Sequence, residues 1–272
     1  MIVDGLHITS DILAEVKASL MGRTPIVRAI VVRPSPATES YLSIKQSRAE
    51  EAGMSLEVVR LPDDATNEDV IGAVIAPGAD AVIVQLPLPE NLDLEQILGS
   101  IPLEQDADVL SAQAYARFEN GEAGALIPPV ASGMQEILVR HGVAVRGKKA
   151  AVLGRGRLVG KPCATLLTRL GAEVTVIHRG TENTDALLKE ADIIVSGMGK
   201  AHTITPDRIK EGVVLIDAGT SGVEGGVAGD IDPACAAKAS LLTPVPGGIG
   251  PVAVACLFKN TAELVAKRGH LA

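Results

Sequence analysis

The chain has 272 residues, 47% hydrophobic and 21% charged, with a formal net charge of −8 at pH 7. That length accommodates one large core or two smaller ones, and the negative charge argues against broad attraction to nucleic acid or to an anionic membrane surface. Aromatic residues make up 1% of the chain, two Tyr, two Phe and no Trp, which argues against a base-stacking surface.

The N-terminal stretch MIVDGLHITSDILAEVK has no basic region followed by an apolar one, so no secretion signal is expected. No apolar run reads as long enough to span a bilayer. The β-branched run IVRAIVVR (26–33) reads as a strand, and ESYLSIKQSRAEEAG (39–53) as an amphipathic helix carrying Tyr41 and Lys45 four residues apart, on one face. SLEVVRLP (55–62) is a second strand, NEDVIGAVIAPG a helix, DAVIVQLPLP (80–89) a third strand ending in a proline-rich loop, and DLEQILGSI a short helix. Residues 102–133, with a proline pair and several glycines, read as a loop between domains, and SGMQEILVRHGV as a helix.

The second half starts afresh with strand, glycine-rich turn, helix and strand in KKAAVLGRGRLVGKPCATLLTRLGAEVTVIHRGT. ADIIVSGMG, VVLIDAGTSG and SLLTPVPGGIG supply further strands, and PVAVACLFKNTAELVAKRGH a C-terminal helix. Continuous apolar strands alternating with helices predict an α/β protein with parallel sheets. Cys163, Cys235 and Cys256 are odd in number and widely spaced, which points to a reducing compartment, no metal site, and a role as small buried hydrophobes.

Gly154, Gly156 and Gly160 follow a strand and open a helix. Glycine permits a tight turn and close backbone approach to a pyrophosphate, and the helix N-terminus offers free N–H groups. The spacing, G-x-G-x-x-x-G, is one residue longer than the standard dinucleotide fingerprint, so the setting between two strands carries the assignment. The next strand ends at His178 and Arg179 instead of at an acidic residue. With Arg155 in the turn, that favours the 2′-phosphate of NADP over NAD.

Five segments, SYLSIK (40–45), VQLPLP (84–89), DAD (106–108), GRGRLVGKP (154–162) and TPVPGGIGP (243–251), occur in this order. Together they closely resemble the methylenetetrahydrofolate dehydrogenase/cyclohydrolase family over nearly the whole chain. The resemblance implies two domains with a folate cleft between them: residues 1–130 plus a C-terminal helix (252–272) for folate and catalysis, and a Rossmann-like NADP-binding domain (131–251). It implies Lys45 as the catalytic group, Gln85 assisting it, Tyr41 packing on the folate ring and Asp108 bonding the pterin's amino end. It further implies that Pro246, Gly247 and Gly248 line the cleft, that the Gly154–Gly160 turn with Arg155, His178 and Arg179 serves NADP, and that the protein is a cytoplasmic homodimer feeding purine synthesis.

The residue types suit that chemistry. A lysine desolvated in a cleft has a lowered pKa and can move protons around an attacking water, and a carboxylate can accept two N–H bonds from a 2-aminopyrimidinone edge. Several positions depart from the family's pattern. Val109 and Leu110 follow DAD where Gly-Phe is usual, PPVA (128–131) replaces P-C-T-P, Ala253 replaces Thr, and Gly156 and Arg179 replace serines. These leave open a dehydrogenase with little cyclohydrolase activity, or a silent folate- or nucleotide-binding paralogue. A different Rossmann oxidoreductase would leave VQLPLP unexplained.

Overall fold

The computed structural model describes residues 1–223 and 226–269. They form two compact α/β units: a first comprising Ser10–Pro129 with the chain from Val254 onward, and a second comprising Met1–Thr9 with Val130–Ala253.

The first unit takes most of α1 (Gly5–Ser19), then β1 (Ile26–Val32), α2 (Pro36–Glu51), β2 (Ser55–Leu61), α3 (Asn67–Ile75), β3 (Ala81–Val84), α4 (Leu94–Gly99) and α5 (Ala112–Glu119). Its three strands are parallel in the order β2-β1-β3, as expected when each strand is followed by a crossover helix. The helix starts are written in the sequence. Ser35 accepts the Thr38 N–H ahead of α2, with Pro36 at the first helical position. Thr66 and Asp69 form a reciprocal capping box for α3, and Asp93 and Ser111 cap α4 and α5. Arg28 is a charge inside an apolar strand, 7% exposed. It is tolerated because Nε donates to Glu57, its partner on β2, at 2.9 Å, while the other nitrogens donate to the Ala76 and Pro77 carbonyls at 2.6 and 3.1 Å. A cation there also answers the negative end of α3. The core between sheet and helices includes Ile30, Val70, Val74, Val82 and Ile97.

The second unit takes α6 (Pro129–Arg140), β4 (Lys149–Leu153), α7 (Gly160–Arg169), β5 (Glu173–Ile177), α8 (Thr184–Glu190), β6 (Ile193–Ser196), β7 (Val214–Asp217), the hairpin strands β8 (Ser221–Val223) and β9 (Gly226–Ala228), and β10 (Leu241–Leu242). Its sheet is parallel in the order β10-β7-β6-β4-β5. Successive strands leave β4 first on one side and then on the other, so the topological switch point falls between β4 and β6. Open α/β sheets bind their ligands outside the carboxyl ends of the strands at such a point. The last helix, α9 (Ile249–Gly269), crosses from the second unit's residues into the first's.

Three expectations change. Residues 112–119, within a stretch whose prolines and glycines suggest a loop, form α5, capped by Ser111 and anchored by buried Ala114 and Phe118. The sequence reading includes neither α1 nor the β8–β9 hairpin. Met1–Thr9 pack with the second unit, where Ile2 bridges Leu242, with Val3 N–H donating to the Leu242 carbonyl and Leu242 N–H to the Met1 carbonyl, each at 2.9 Å. Finally, Ile249–Arg268 in α9 is long and apolar enough by length and composition to cross a membrane. Its most apolar stretch is 61% buried inside the protein, which is how a core helix satisfies the same pattern.

Candidate active site

Helix α2 turns Leu42, Lys45 and Ala49 inward, at the i, i+3, i+7 spacing of a core-facing stripe. Lys45 therefore occupies a position where an apolar residue is ordinarily found, and is 7% exposed. Its Nζ donates to Gln85 Oε1 at 2.9 Å. Gln85 follows β3 directly, and its backbone N–H continues the ladder to the Ile30 carbonyl. The Gln85 side-chain amide donates to the Leu86 carbonyl at 3.0 Å, which leaves the amide oxygen directed at the amine. The Leu86–Pro87 peptide is cis.

Tyr41, one turn before Lys45, keeps 41% of its surface exposed, and the Lys45 Nζ lies 5.9 Å from its ring centroid. That is the outer limit of a cation–π contact. Asp108 is half-buried on the loop before α5. Asp106, 1% exposed, closes that loop by accepting the Leu110 and Ser111 N–H groups at 3.0 and 2.8 Å. Of the two aspartates, Asp106 is thus the structural one and Asp108 is left to face outward chemistry.

Electrostatics couples these groups. Burial pushes the Lys45 ammonium below the usual lysine range, and the Asp108 charge opposes that. Burial pushes the Asp108 carboxyl up, Lys45 holds it down and Asp106 raises it further. The Tyr41 phenol is raised, first by burial and then by Asp108. For the Lys45–Asp108 pair the direction that governs chemistry is the lysine's, because desolvation is the larger influence on the amine and the Asp108 charge the smaller.

Val109 sits next to Asp108 at φ +56°. A β-branched residue in the left-handed region costs about 1–3 kcal/mol, and here burial of the side chain, 2% exposed, offsets it. Val109→Gly is therefore expected to change unfolding free energy by no more than about 1 kcal/mol, since relief of strain and loss of burial cancel. The same substitution at Val82, 0% exposed in β3, has no strain to relieve and is expected to cost about 3 kcal/mol or more. Denaturant titration of both variants checks the contrast.

The remaining predicted residues lie in the second unit. Gly154 has φ +97°, and a Cβ at Gly160 would stand 2.2 Å from the Gly154 carbonyl oxygen, so the turn and the first residue of α7 meet backbone to backbone. No side chain caps α7; in its first turn the Lys161 N–H donates to the Gly156 carbonyl at 3.1 Å, and the positive end of the helix faces the turn, where it suits an anion. A Cβ at Gly156 would meet nothing within 4 Å. Arg155, Gly156, His178 and Arg179 are exposed. The His178 Nδ1 accepts the Gly180 N–H at 3.2 Å, so this imidazole shapes its own turn. The donor set, with open space above the turn, fits a dinucleotide phosphate. Beyond β10, Pro246 is exposed, Gly247 is half-buried at φ +93°, and Gly248 is buried, with its Cβ position 2.3 Å from the Pro244 oxygen. Cys163, Cys235 and Cys256 are buried free thiols, and burial pushes Cys163 up to about 12.

Comparison with known proteins gives consistent matches across the chain. Residues 3–108 match the catalytic domain of tetrahydrofolate dehydrogenase/cyclohydrolase, and residues 128–269 its NAD(P)-binding domain. The bifunctional protein FolD of Lacticaseibacillus paracasei is 36% identical over 98% of both chains, and that of Methanospirillum hungatei 36% identical over 99% of both. Among solved structures, the bifunctional FolD enzyme of Campylobacter jejuni superposes with a TM-score of 0.94 at 29% identity, covering 98% of this chain and 99% of that one. The Trypanosoma brucei FolD enzyme, complexed with NADP cofactor and inhibitor, gives 0.93 at 32% identity, covering 100% and 99%.

Proposed function

The chain belongs to the tetrahydrofolate dehydrogenase/cyclohydrolase family, and from that premise we propose that it is a bifunctional enzyme of one-carbon metabolism. It oxidises 5,10-methylenetetrahydrofolate to the 5,10-methenyl cation with NADP, and hydrolyses that cation to 10-formyltetrahydrofolate. The observation that carries the reading is the Lys45 amine, desolvated on a core-facing helix position and hydrogen-bonded to Gln85.

NADP supplies the hydride acceptor for the first step. In the hydrolysis, the water oxygen bonds to the bridging carbon and its proton passes to the neutral Lys45 amine. The resulting ammonium returns the proton to the ring nitrogen whose bond to that carbon breaks, and the remaining hydroxyl proton leaves to solvent as the formyl C=O forms, so the positive charge of the cation departs as that proton. Gln85 holds the amine through its amide oxygen, a neutral partner that leaves the lowered lysine pKa in place. Asp108 accepts two N–H bonds from the aminopyrimidinone edge, and the exposed ring of Tyr41 covers the pterin face. In the second unit, the α7 N-terminus receives the pyrophosphate, and Arg155 and Arg179 receive the 2′-phosphate.

Three free thiols suit a reducing, cytoplasmic compartment. A homodimer through the second unit is favoured by β5, an edge strand with Val176 36% exposed. The formyl product suits purine synthesis.

The test is a spectrophotometric assay of both steps, run in parallel with NADP and NAD. Both steps turn over, and NADP is preferred by at least about 10-fold in kcat/KM, the worth of a charge-assisted bond to the 2′-phosphate. Protein that binds folate without any absorbance change would contradict the reading.

A further inference from the structure

Two buried carboxylates in the second unit are left unused by the chemistry above. Asp217 ends β7 and Asp230 follows the β8–β9 hairpin; they are 2% and 0% exposed. Asp230 accepts three hydrogen bonds from the segment that leaves β6: Ser196 Oγ and Met198 N–H at 2.7 Å each on one oxygen, and Lys200 N–H at 2.6 Å on the other. Asp217 accepts the Gly219 and Asp230 N–H groups at 3.0 and 3.1 Å, and the Ile231 N–H at 2.8 Å. The two therefore form a relay: Asp217 fixes the backbone of Asp230, and Asp230 fixes the loop after β6.

Close packing shows how tightly the relay is fitted. A Cβ at Gly219 would lie 2.1 Å from the Asp230 carboxyl carbon, and one at Gly229 would lie 2.1 Å from an Asp217 oxygen. Only glycine leaves these carboxylates room at either end of the hairpin. The loop they hold is also one wall of the switch-point crevice between β4 and β6. A Cβ at Gly197 would stand 2.5 Å from a Val159 methyl, and one at Gly154 3.0 Å from the Gly197 oxygen. The wall thus bears directly on the glycine turn.

Stability alone gives a poor account of the arrangement. Burial pushes the Asp217 carboxyl up to about 6, with the charge of Asp230 adding to the effect against the opposing N–H bonds. Holding such a group ionised at neutral pH costs the fold free energy, which is more readily understood if the geometry it enforces is used.

We propose that Asp217 and Asp230 are positioning residues for dinucleotide binding, setting the Gly197–Lys200 wall against the Gly154–Gly160 turn. The inference rests on the functional reading above, and its test separates the two. Asp230→Asn places an amide N–H₂ against one of the backbone N–H donors and should push the wall away. The expected result is a rise of about 10- to 100-fold in the KM for NADP, in keeping with a displaced wall, with hydrolysis of supplied methenyltetrahydrofolate within about threefold of the parent. Asp217→Asn acts one step further back and should give a smaller rise. Ser196→Ala removes one of the three bonds to Asp230 and should give the smallest, and it keeps the test decisive if the aspartate variants fold poorly. A parallel fall of both activities with melting temperature would mean a structural role only and would overturn the inference. So would an unchanged KM for NADP in a variant series whose parent turns over both steps. A parent inactive in both steps would overturn the functional reading and this inference with it.

Discussion

Replacing Lys45 by Met is expected to slow hydrolysis of the methenyl substrate by about 100- to 10,000-fold, the usual worth of a positioned general acid–base, with NADP affinity unchanged. Methionine is close to lysine in length and apolar, so it suits a side chain that is 7% exposed on the inward stripe of α2. The fold should tolerate it. What is lost is the one group whose protonation the site tunes. Burial holds the amine below the lysine range and Asp108 pulls it part of the way back. Lys45→Arg keeps the charge and the donor to Gln85, but a guanidinium does not deprotonate. It should be as poor in hydrolysis as the methionine variant. The hydrolysis rate of the parent should rise with pH through an ionisation below ~10.4, the ordinary lysine value, and that limb should be missing from both variants. Hydrolysis by Lys45→Met at the parental rate would remove Lys45 from the mechanism.

Gly160→Ala is expected to act on the other half of the chemistry. The added Cβ would meet the Gly154 oxygen at 2.2 Å and the Arg155 Cα at 2.9 Å. Both are backbone atoms, so no side chain can swing aside and the turn itself has to open. Displacement of a binding element by about 1 Å costs on the order of 100-fold, so NADP-dependent oxidation should fall by at least about that factor through the KM for NADP. Hydrolysis of supplied methenyl substrate should persist. The pair of variants then separates the two steps in opposite directions. Loss of both activities together in Gly160→Ala, with an unchanged melting temperature, would refute the assignment of the turn to the dinucleotide.

Much of this organisation could be read from single stretches of sequence. The runs that became β1, β3 and β6 are short, apolar and rich in Val and Ile, and they are buried almost throughout, so length and composition sufficed. Tyr41 and Lys45 declared themselves through i, i+4 spacing. The contact of Lys45 with Gln85 joins residues 40 positions apart and was reachable only through the family resemblance. α5 was hidden because the flanking prolines and glycines dominate the composition of 102–133. Its signal was local: Ser111 ahead of an alanine-rich run with Phe118 one face around. Nothing in the sequence marks Val109 as left-handed, since a β-branched residue is the least expected occupant of that region. Asp217 and Asp230 escaped for a related reason. Asp217 lies two residues from Gly219 and Asp230 one from Gly229, and nothing local in the sequence marks those glycines as making room for a carboxylate.

The claim on which the mechanism depends is that the Lys45 amine is desolvated enough to lose its proton more readily than a free lysine. Titration of the protein carrying ¹⁵N-labelled lysine, with the Lys45 Nζ resonance assigned by its absence from Lys45→Met, measures this directly. The account predicts a midpoint below ~10.4, the value of an unperturbed lysine. A midpoint at or above it would mean that Asp108 and Gln85 hold the amine as an ammonium, and Lys45 could not then accept the proton of the attacking water.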